Sequence, residues 1–485
     1  MIIIIIIIKE IPVRLPFTLT LTLVFLLTAC AGTKPIIPEL TLSPAFDSSE
    51  GAIDTAVSEQ WWIDFSDPQL NALITQALKN NYSLQVSLAR VRQSQSRWDQ
   101  ASSEKIPDVQ LSAQKSRQWR DGLQQDGTTQ DQWQLGLNAS YELDFWGRIA
   151  SLDEQALQQL NASRAAKNIQ TNTVVSQLAI AWYGVLQEQQ QLVLLKRQQA
   201  RNKNALEVVR GRYLRGKVNA SDMWQQEQLL ESINSDIIRS ETAHAIYQQQ
   251  LALWLGKGSV EAEAPVDIEN TAYQIPSFTQ PISQVSSESL QQRPDVKQAY
   301  SQIIAAQAGL NIAQSNRYPR FTLSASYVSA VDKPSDILNN WMANLIAGLT
   351  LPLIDGDNLR AEVRRNQAVV EEAIANYQQV LLTAMQEIEQ ALINESQQFY
   401  LSTSLVVQLQ LANKTQEYLN QRYQNGAGDF LSLLNNQQDV LKLERQVLAA
   451  EYQQLRYRIQ LLTSLSHGRF SENNVIDNGS DEHDS

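Results

Sequence analysis

The sequence predicts a mainly helical chain that also carries four membrane-type β-strands and is built as an internal duplication. Three observations lead there. Long, proline-free stretches rich in Gln, Ala and Leu keep a 3-4 apolar spacing. Segments of about ten residues alternate apolar and polar side chains, the period of a strand with two different faces. The same motifs also recur in the same order in both halves.

The chain has 485 residues, enough for two or three domains, and a formal charge of −12. That balance argues against a nucleic-acid partner, which would need a basic face. Three histidines (His244, His467, His483) and one cysteine leave little material for a metal site, a cofactor site or a nucleophile–base pair. No Gly-rich phosphate loop or catalytic constellation appears, so the expectation is not an enzyme and no cofactor. With Cys30 as its only thiol, the chain can form no intramolecular disulfide.

Residues 1–29 read as an export signal. Lys9 and Arg14 precede a short apolar run at 15–27, which ends Leu27-Thr28-Ala29-Cys30. A small residue before cysteine, after an apolar core, resembles the lipobox of bacterial lipoproteins, in which the cysteine is acylated and becomes the first mature residue. The other reading of Cys30 is a buried cysteine in an uncleaved anchor. Ala31 stands where an Asp often retains such lipoproteins in the inner membrane, so the resemblance implies outer-membrane sorting. No later stretch reaches the ~18 uninterrupted apolar residues of a spanning helix. A mature chain that crosses a membrane must therefore do so as a closed β-barrel.

The duplication is carried by ordered matches. Asn81-Tyr82-Ser83-Leu84 and Arg293-Pro294-Asp295-Val296 open helix-like stretches that end at Pro107 and Pro319, both pairs 212 positions apart. Arg212-Tyr213-x-x-Gly216 recurs as Arg422-Tyr423-x-x-Gly426, and 251–258 matches 461–468. Each half is expected to be one structural unit.

Each half holds two strand candidates. In the segment at about 132–145, Trp133, Leu135, Leu137, Ala139, Tyr141 and Leu143 alternate with Gln132, Gln134, Gly136, Asn138, Ser140 and Glu142. The segment at about 341–353 repeats this, while those at about 109–119 and 320–331 alternate less cleanly. The pattern suits tilted barrel strands with Trp and Tyr at the interfaces; strands of a soluble sandwich would show it too. Loops are expected at 120–130 and 332–340. Because about eight strands is the smallest membrane barrel, four per chain predict an obligate homo-oligomer.

Helices are expected at about 150–212, 221–256, 357–423 and 430–466. Sixty helical residues at about 1.5 Å each span roughly 90 Å, far beyond a globular helix. Leu178, Ala181, Val185, Leu192, Leu195, Leu206, Val209 and Tyr213 form one seam, interrupted by Glu188, Gln199 and Asn202; Leu434, Leu441, Leu448, Leu455 and Leu462 form another. Residues 257–287, rich in Pro, Ser and acids, read as a linker. Residues 468–485 read as a disordered acidic tail.

Ahead of the first repeat stands Trp61-Trp62-Ile63-Asp64-Phe65-Ser66-Asp67-Pro68-Gln69-Leu70-Asn71, followed by Leu73, Ala77-Leu78 and Asn80-Asn81. This resembles the opening of TolC-type outer-membrane efflux proteins, in the lipoprotein branch serving resistance-nodulation-division (RND) pumps. The Leu-Asp-Phe-Trp-Gly-Arg at 143–148 and the doubled Tyr-x-x-Gly turns are similar to that family as well. The resemblance covers roughly residues 60–467. It implies a homotrimer in which each chain gives four strands to one twelve-stranded β-barrel, above a coiled-coil α-helical tunnel through the periplasm. It also implies a lipid-anchored N-terminal linker at 30–60, a first repeat at 61–256, an equatorial linker at 257–287 and a second repeat at 288–467. The function implied is a passive outer-membrane conduit for small molecules, served by an inner-membrane RND pump and a periplasmic adaptor, with substrate choice left to the pump.

In that family the adaptor meets the helical turns, here Arg212, Tyr213, Gly216 and Ser221 in the first and Arg422, Tyr423 and Gly426 in the second. Ordinary helical hairpin turns without a partner would look the same. The family's periplasmic gate is often lined by aspartates just after the second turn; this chain has Asn435 at that place and Asp429 in the turn itself. Two other readings stand beside the pump conduit: the exit duct of a type I protein secretion system, on the same fold, and a soluble coiled-coil scaffold. The lipobox and the Trp-Trp opening favour the pump branch, and the lipid-grade alternation disfavours the scaffold.

Overall fold

The computed structural model of the chain describes residues 45–47, 60–122, 125–258, 275–278, 280–282, 284–286 and 288–466. The export signal, Cys30 and the acidic tail at 468–485 lie outside the described residues. The strands are β1 (Ala45–Asp47), β2 (Asp108–Gly122), β3 (Gln125–Leu143), β4 (Gln284–Ser286), β5 (Arg320–Val331) and β6 (Met342–Thr350). The helices are α1 (Pro68–Asn80), α2 (Tyr82–Ser103), α3 (Arg148–Leu214), α4 (Ala220–Trp254), α5 (Glu288–Gln292), α6 (Pro294–Ser315), α7 (Asn358–Gln424) and α8 (Phe430–Leu465), with short 3-10 turns at Trp61–Phe65 and Pro334–Asp336. Among the described residues no helix is long and apolar enough to cross a membrane.

The chain folds as two compact units, and neither coincides with a repeat. One takes Ser96–Gln158 and Ile303–Ile374; the other takes the described residues of Glu39–Gln95, Gln159–Gln302 and Ala375–Ser485. This corrects the expectation that each half is one structural unit. A repeat contributes two strands, and two strands alone are marginal; pairing across the duplication makes the sheet instead.

In the first unit the sheet runs β2-β3-β5-β6, antiparallel throughout. The β3–β5 ladder joins the halves, from Trp133 opposite Val331 to Leu143 opposite Phe321. The loop expected at 120–130 is mostly strand, because β2 and β3 continue toward each other as far as Gly122 and Gln125. The last strand, expected to 353, stops at Thr350, two residues before Pro352, which has no N–H to give a ladder. Below the sheet, Trp146 donates through Nε1 to the Pro319 carbonyl at 2.7 Å and stacks on Tyr318 at 4.9 Å. Leu310, Ala313, Val363 and Val370 pack α6 against α7.

The second unit holds the larger core. The Trp-Trp opening is buried, Trp61 meeting Trp62 and Phe65 edge to face at 5.9 and 5.6 Å. Asp67 and Pro68 start α1: the Asp67 carboxylate accepts from the Gln69 and Leu70 amides at 3.0 Å, and Pro68 fills the first helical position, where no N–H is needed. The same carboxylate accepts from Trp182 Nε1 on α3 at 2.8 Å. At the corresponding place in the second repeat, buried Arg293 donates to Asp295, to Glu387 on α7 and to the Ser464 carbonyl on α8. Within residues 257–287, expected as the equatorial linker, β4 pairs with β1.

The seams pack with polar exceptions. Leu178, Ala181, Val185, Leu195 and Val209 are buried, Leu192 and Leu206 are half-buried, and Tyr213 is exposed. The polar residues that interrupt the first seam find partners: Gln199 donates to Asn234 at 2.7 Å and Ser240 donates to Glu188 at 2.6 Å, both between α3 and α4. Wholly buried Gln198 donates to the Leu441 carbonyl and to Glu444 on α8, and wholly buried Gln226 donates to Asn202 at 3.0 Å. Glu395 on α7 is fully buried against Arg458 and accepts from the Ile282 amide at 2.9 Å, while Arg458 donates to the Gln280 carbonyl at 2.8 Å. Together they fasten the segment ahead of the second repeat to α7 and α8. Burial pushes the Glu395 carboxyl up against the pull of Arg458.

Two outcomes follow from this packing. Gly256 ends α4 at a φ of +74°, and an added Cβ would lie 2.5 Å from the Asn80 carbonyl oxygen. Gly256→Ala is expected to cost about 1–3 kcal/mol, read as a lower urea midpoint of the detergent-solubilised protein. Burial raises the Glu188 carboxyl above its ordinary 4.5, against the Ser240 hydrogen bond. The folded state therefore binds the proton more readily, and the stability linked to it is present below 4.5 and lost as pH rises through the raised value. Glu188→Gln is expected to be more stable than the parent at neutral pH and equal to it below 4.5, in paired urea titrations at the two pH values.

Candidate functional site

Two surfaces carry the residues of functional interest: the faces of the sheet and the turns joining the long helices. The register pairs odd with odd and even with even positions across all four strands, so each class shares one face up to the irregularity at Arg120/Gly122. The odd face is apolar from Val109 through Leu137, Leu323 and Leu349. Leu111, Leu345 and Leu349 are 74%, 73% and 63% exposed on the single chain, too much contiguous apolar surface to leave in water. Aromatic pairs bound this band at both ends, Tyr327 stacked on Trp341 at 5.1 Å and Phe145 edge-on to Phe321 at 5.0 Å. Beyond the first pair, Lys115 sits over Trp133 and Arg117 forms an ion pair with Asp131. An apolar belt between aromatic girdles, capped by charge, is what a bilayer demands of a barrel's outer surface.

The helical turns are built alike. α3 and α7 each end on a glycine with positive φ, Gly216 at +65° and Gly426 at +73°. In both, the glycine N–H reaches back three residues and the next N–H reaches back five: Gly216 to Tyr213 and Lys217 to Arg212, Gly426 to Tyr423 and Ala427 to Arg422. This is the Schellman closure, which satisfies the last carbonyls and needs a residue tolerant of the left-handed region. Asp222 then accepts from the Asn219 amide ahead of α4 at 3.2 Å.

The two turns meet through Arg212, whose guanidinium lies 4.3 Å from the centre of the Tyr423 ring. Tyr423 in turn contacts Phe430, in a cluster with Val209, Leu229, Ile233 and Leu434. Arg422 folds back to the Ala427 carbonyl at 2.8 Å. Tyr213 and Ser221 are exposed and stand apart from this contact.

Asp429 is the N-cap of α8, its carboxylate accepting from the Ser432 amide at 3.0 Å and from the Ser432 hydroxyl. Those amide bonds hold its carboxyl below the usual range. Asn435 is exposed in the second turn of α8. The Arg212–Tyr423 contact joins residues 211 positions apart, and in the sequence only the repeated Arg-Tyr pair hints at it. Truncating the guanidinium in Arg212→Ala removes about 0.5–1 kcal/mol from this end. Hydrogen exchange is expected to rise a few-fold at 423–430, with the sheet unchanged.

The family model described as outer membrane efflux protein matches residues 73–257 and 285–467. The pyoverdine export outer membrane protein OpmQ of Pseudomonas aeruginosa is 28% identical, over 91% of this chain and 95% of its own. The cation efflux system protein CusC of Escherichia coli K12 is 27% identical, over 94% and 99%. Among solved structures, the CmeC outer membrane channel of Campylobacter jejuni superposes with a TM-score of 0.82 at 20% identity, over 90% and 94% of the two chains. With both repeats matched by the family model and the fold shared with such channels, the chain belongs to the outer membrane efflux protein family, the outer-membrane channel components of efflux pumps.

Proposed function

We propose that three copies of this chain form one passive conduit: a twelve-stranded β-barrel closed from three four-stranded sheets, continued by a tunnel of the long helices. The observation that carries this reading is the open sheet with one apolar face. Its edge strands β2 and β6 each have one side unpaired by another described strand. In hydrocarbon each unsatisfied backbone group costs several kcal/mol, and four strands fall short of the eight or so of the smallest membrane barrels. Pairing β6 of one copy with β2 of the next removes both edges at once.

The helices support the same assembly. Along α7, Ile393, Tyr400, Val407 and Tyr418 are exposed at steps of seven or eleven, and along α4 Trp224, Ile238 and Leu253 are exposed on the single chain. Apolar stripes at such spacing suit packing against further helices. In this reading the turns at Arg212, Tyr213, Gly216 and Ser221 and at Arg422, Tyr423 and Gly426 receive a periplasmic adaptor, and an inner-membrane RND pump supplies the energy. Asp429 and Asn435 lie next to the second turn, where the conduit would narrow. Cys30 carries the lipid, residues 30–60 lead from it to the first repeat at 61–256, and residues 257–287 connect to the second at 288–467. The relatives are named for pyoverdine and for cations, so the exported compound follows the pump.

A pair of neighbouring substitutions tests the barrel. Leu345→Arg puts a charge on the apolar face at a cost of about 2–4 kcal/mol, whereas Asn344→Arg places it on the polar face. The first is expected to abolish the heat-sensitive oligomer in outer-membrane fractions and the second to keep it; equal behaviour would count against the barrel. In a deletion strain, dye efflux is expected to return with the intact chain and to be lost when Gly216 and Gly426 are both replaced. Unchanged dye retention, with the protein in the outer membrane, would instead favour the secretion duct.

A further inference from the structure

The even face of the sheet holds an unusual absence. About 19% of the chain is charged, yet from 110 to 118, 130 to 140, 322 to 330 and 342 to 350 no even position carries a charge. At the chain-wide frequency about four would be expected there. In their place stand amides and hydroxyls, Gln114 opposite Gln134, Asn138 opposite Ser326 and Ser326 opposite Asn344, with glycine and apolar residues at the remainder. These groups bond along the face: Ser112 donates to the Gly136 carbonyl at 3.2 Å, and Asn344 donates to Ser326 at 3.4 Å. The charges at even positions stand at the margins of the sheet: Arg120, opposite Thr128, at the upper end, and Asp108, Glu142 and Arg320 at the lower. Arg148 holds Glu142 through two hydrogen bonds of 2.7 and 2.9 Å, and Arg320 and Asp108 offset one another in sign, each bonded to a neighbouring amide.

We propose that this face is a charge-neutral wall of the conduit, passing anionic and cationic solutes without preference, so that any selection by charge is made elsewhere along the path. The proposal rests on the channel reading, in which the even face meets water. Pores select ions with rings of fixed charge or of backbone carbonyls, and each residue of one chain is repeated around a symmetric ring. A single uncompensated charge here would therefore act several times over. Amides suit the opposite task. Gln and Asn donate through NH₂ and accept through the carbonyl, so they can replace hydration water around either sign of ion. A hydroxyl does the same with one group.

The test is ion selectivity of the full chain, assembled in planar bilayers of neutral lipid under a KCl gradient. Ser326→Lys and Ser326→Glu place opposite charges mid-face, and Ser112→Lys and Ser112→Glu repeat the experiment on another strand in case one position disturbs folding. The potassium-to-chloride permeability ratio is expected to move in opposite directions for Lys and Glu, by about threefold or more each and by similar factors about the parent. A shift with only one sign of charge would mean that the wall already carries a field of the other kind, and would overturn the proposal. An unchanged ratio in all four variants would overturn it too, by removing this face from the ion path. Absence of conductance in the parent itself would overturn the channel reading, a failure distinct from either.

Discussion

Hydrocarbon offers no water to a backbone N–H or C=O, and much of this chain's organisation follows from that. A soluble four-stranded sheet can leave its edges wet; one carrying an apolar belt between two aromatic girdles cannot. The pairing of β3 with β5 settles the inner edges by joining the two repeats within the chain. The outer edges on β2 and β6 are what the proposed assembly of copies would settle. Exposure of leucines on the odd face and the terminal position of the charges at Lys115, Arg117 and Asp131 are both adjustments to the same solvent.

Duplication and compactness pull in different directions here. Two similar halves follow one another in sequence, but each compact unit draws on both. The consequence is that neither half could bury its own surface: one supplies half a sheet and one long helical hairpin. The buried polar groups fit this picture. Gln198, Asn202, Gln226 and Glu444 tie α3, α4 and α8 through amide and carboxylate contacts, so helices from both repeats are held in one register. Apolar seams alone permit sliding by a heptad; an amide that must find a particular carbonyl does not.

Much of the fold was legible because its periods are long and clean. The alternation from Trp133 to Leu143 marks a strand, and the doubled Arg-Tyr-x-x-Gly marks where helices end, since only glycine sits easily at φ near +70°. Legibility failed where pattern gives way to local chemistry. Gln125 to Asp131 hold no apolar residue, so nothing in their periodicity distinguishes strand from loop, yet their backbone pairs with β2. The tryptophans at 61 and 62 act as a resemblance signal in the sequence and turn out to be core. Asp429, read beside the gate, has an immediate structural duty as a helix cap. The Glu395–Arg458 pair left no trace, because a pairing between distant positions has no signature in a single sequence, and for Arg212–Tyr423 the repeated Arg-Tyr pair marks the residues but not their contact.

The helices α3 and α7 have the same length, 67 residues each, and their partners α4 and α8 have 35 and 36. That equality constrains how such a gene can change. Losing one turn from α3 alone would withdraw Arg212 by about 5.4 Å from Tyr423 and rotate every seam residue beyond the deletion. Length changes within α3 and α7 then keep this contact and the seams when both helices acquire them together and in whole heptads. The duplication is thus a standing obligation on the two longest helices, which are free to diverge in sequence but bound to one another in length.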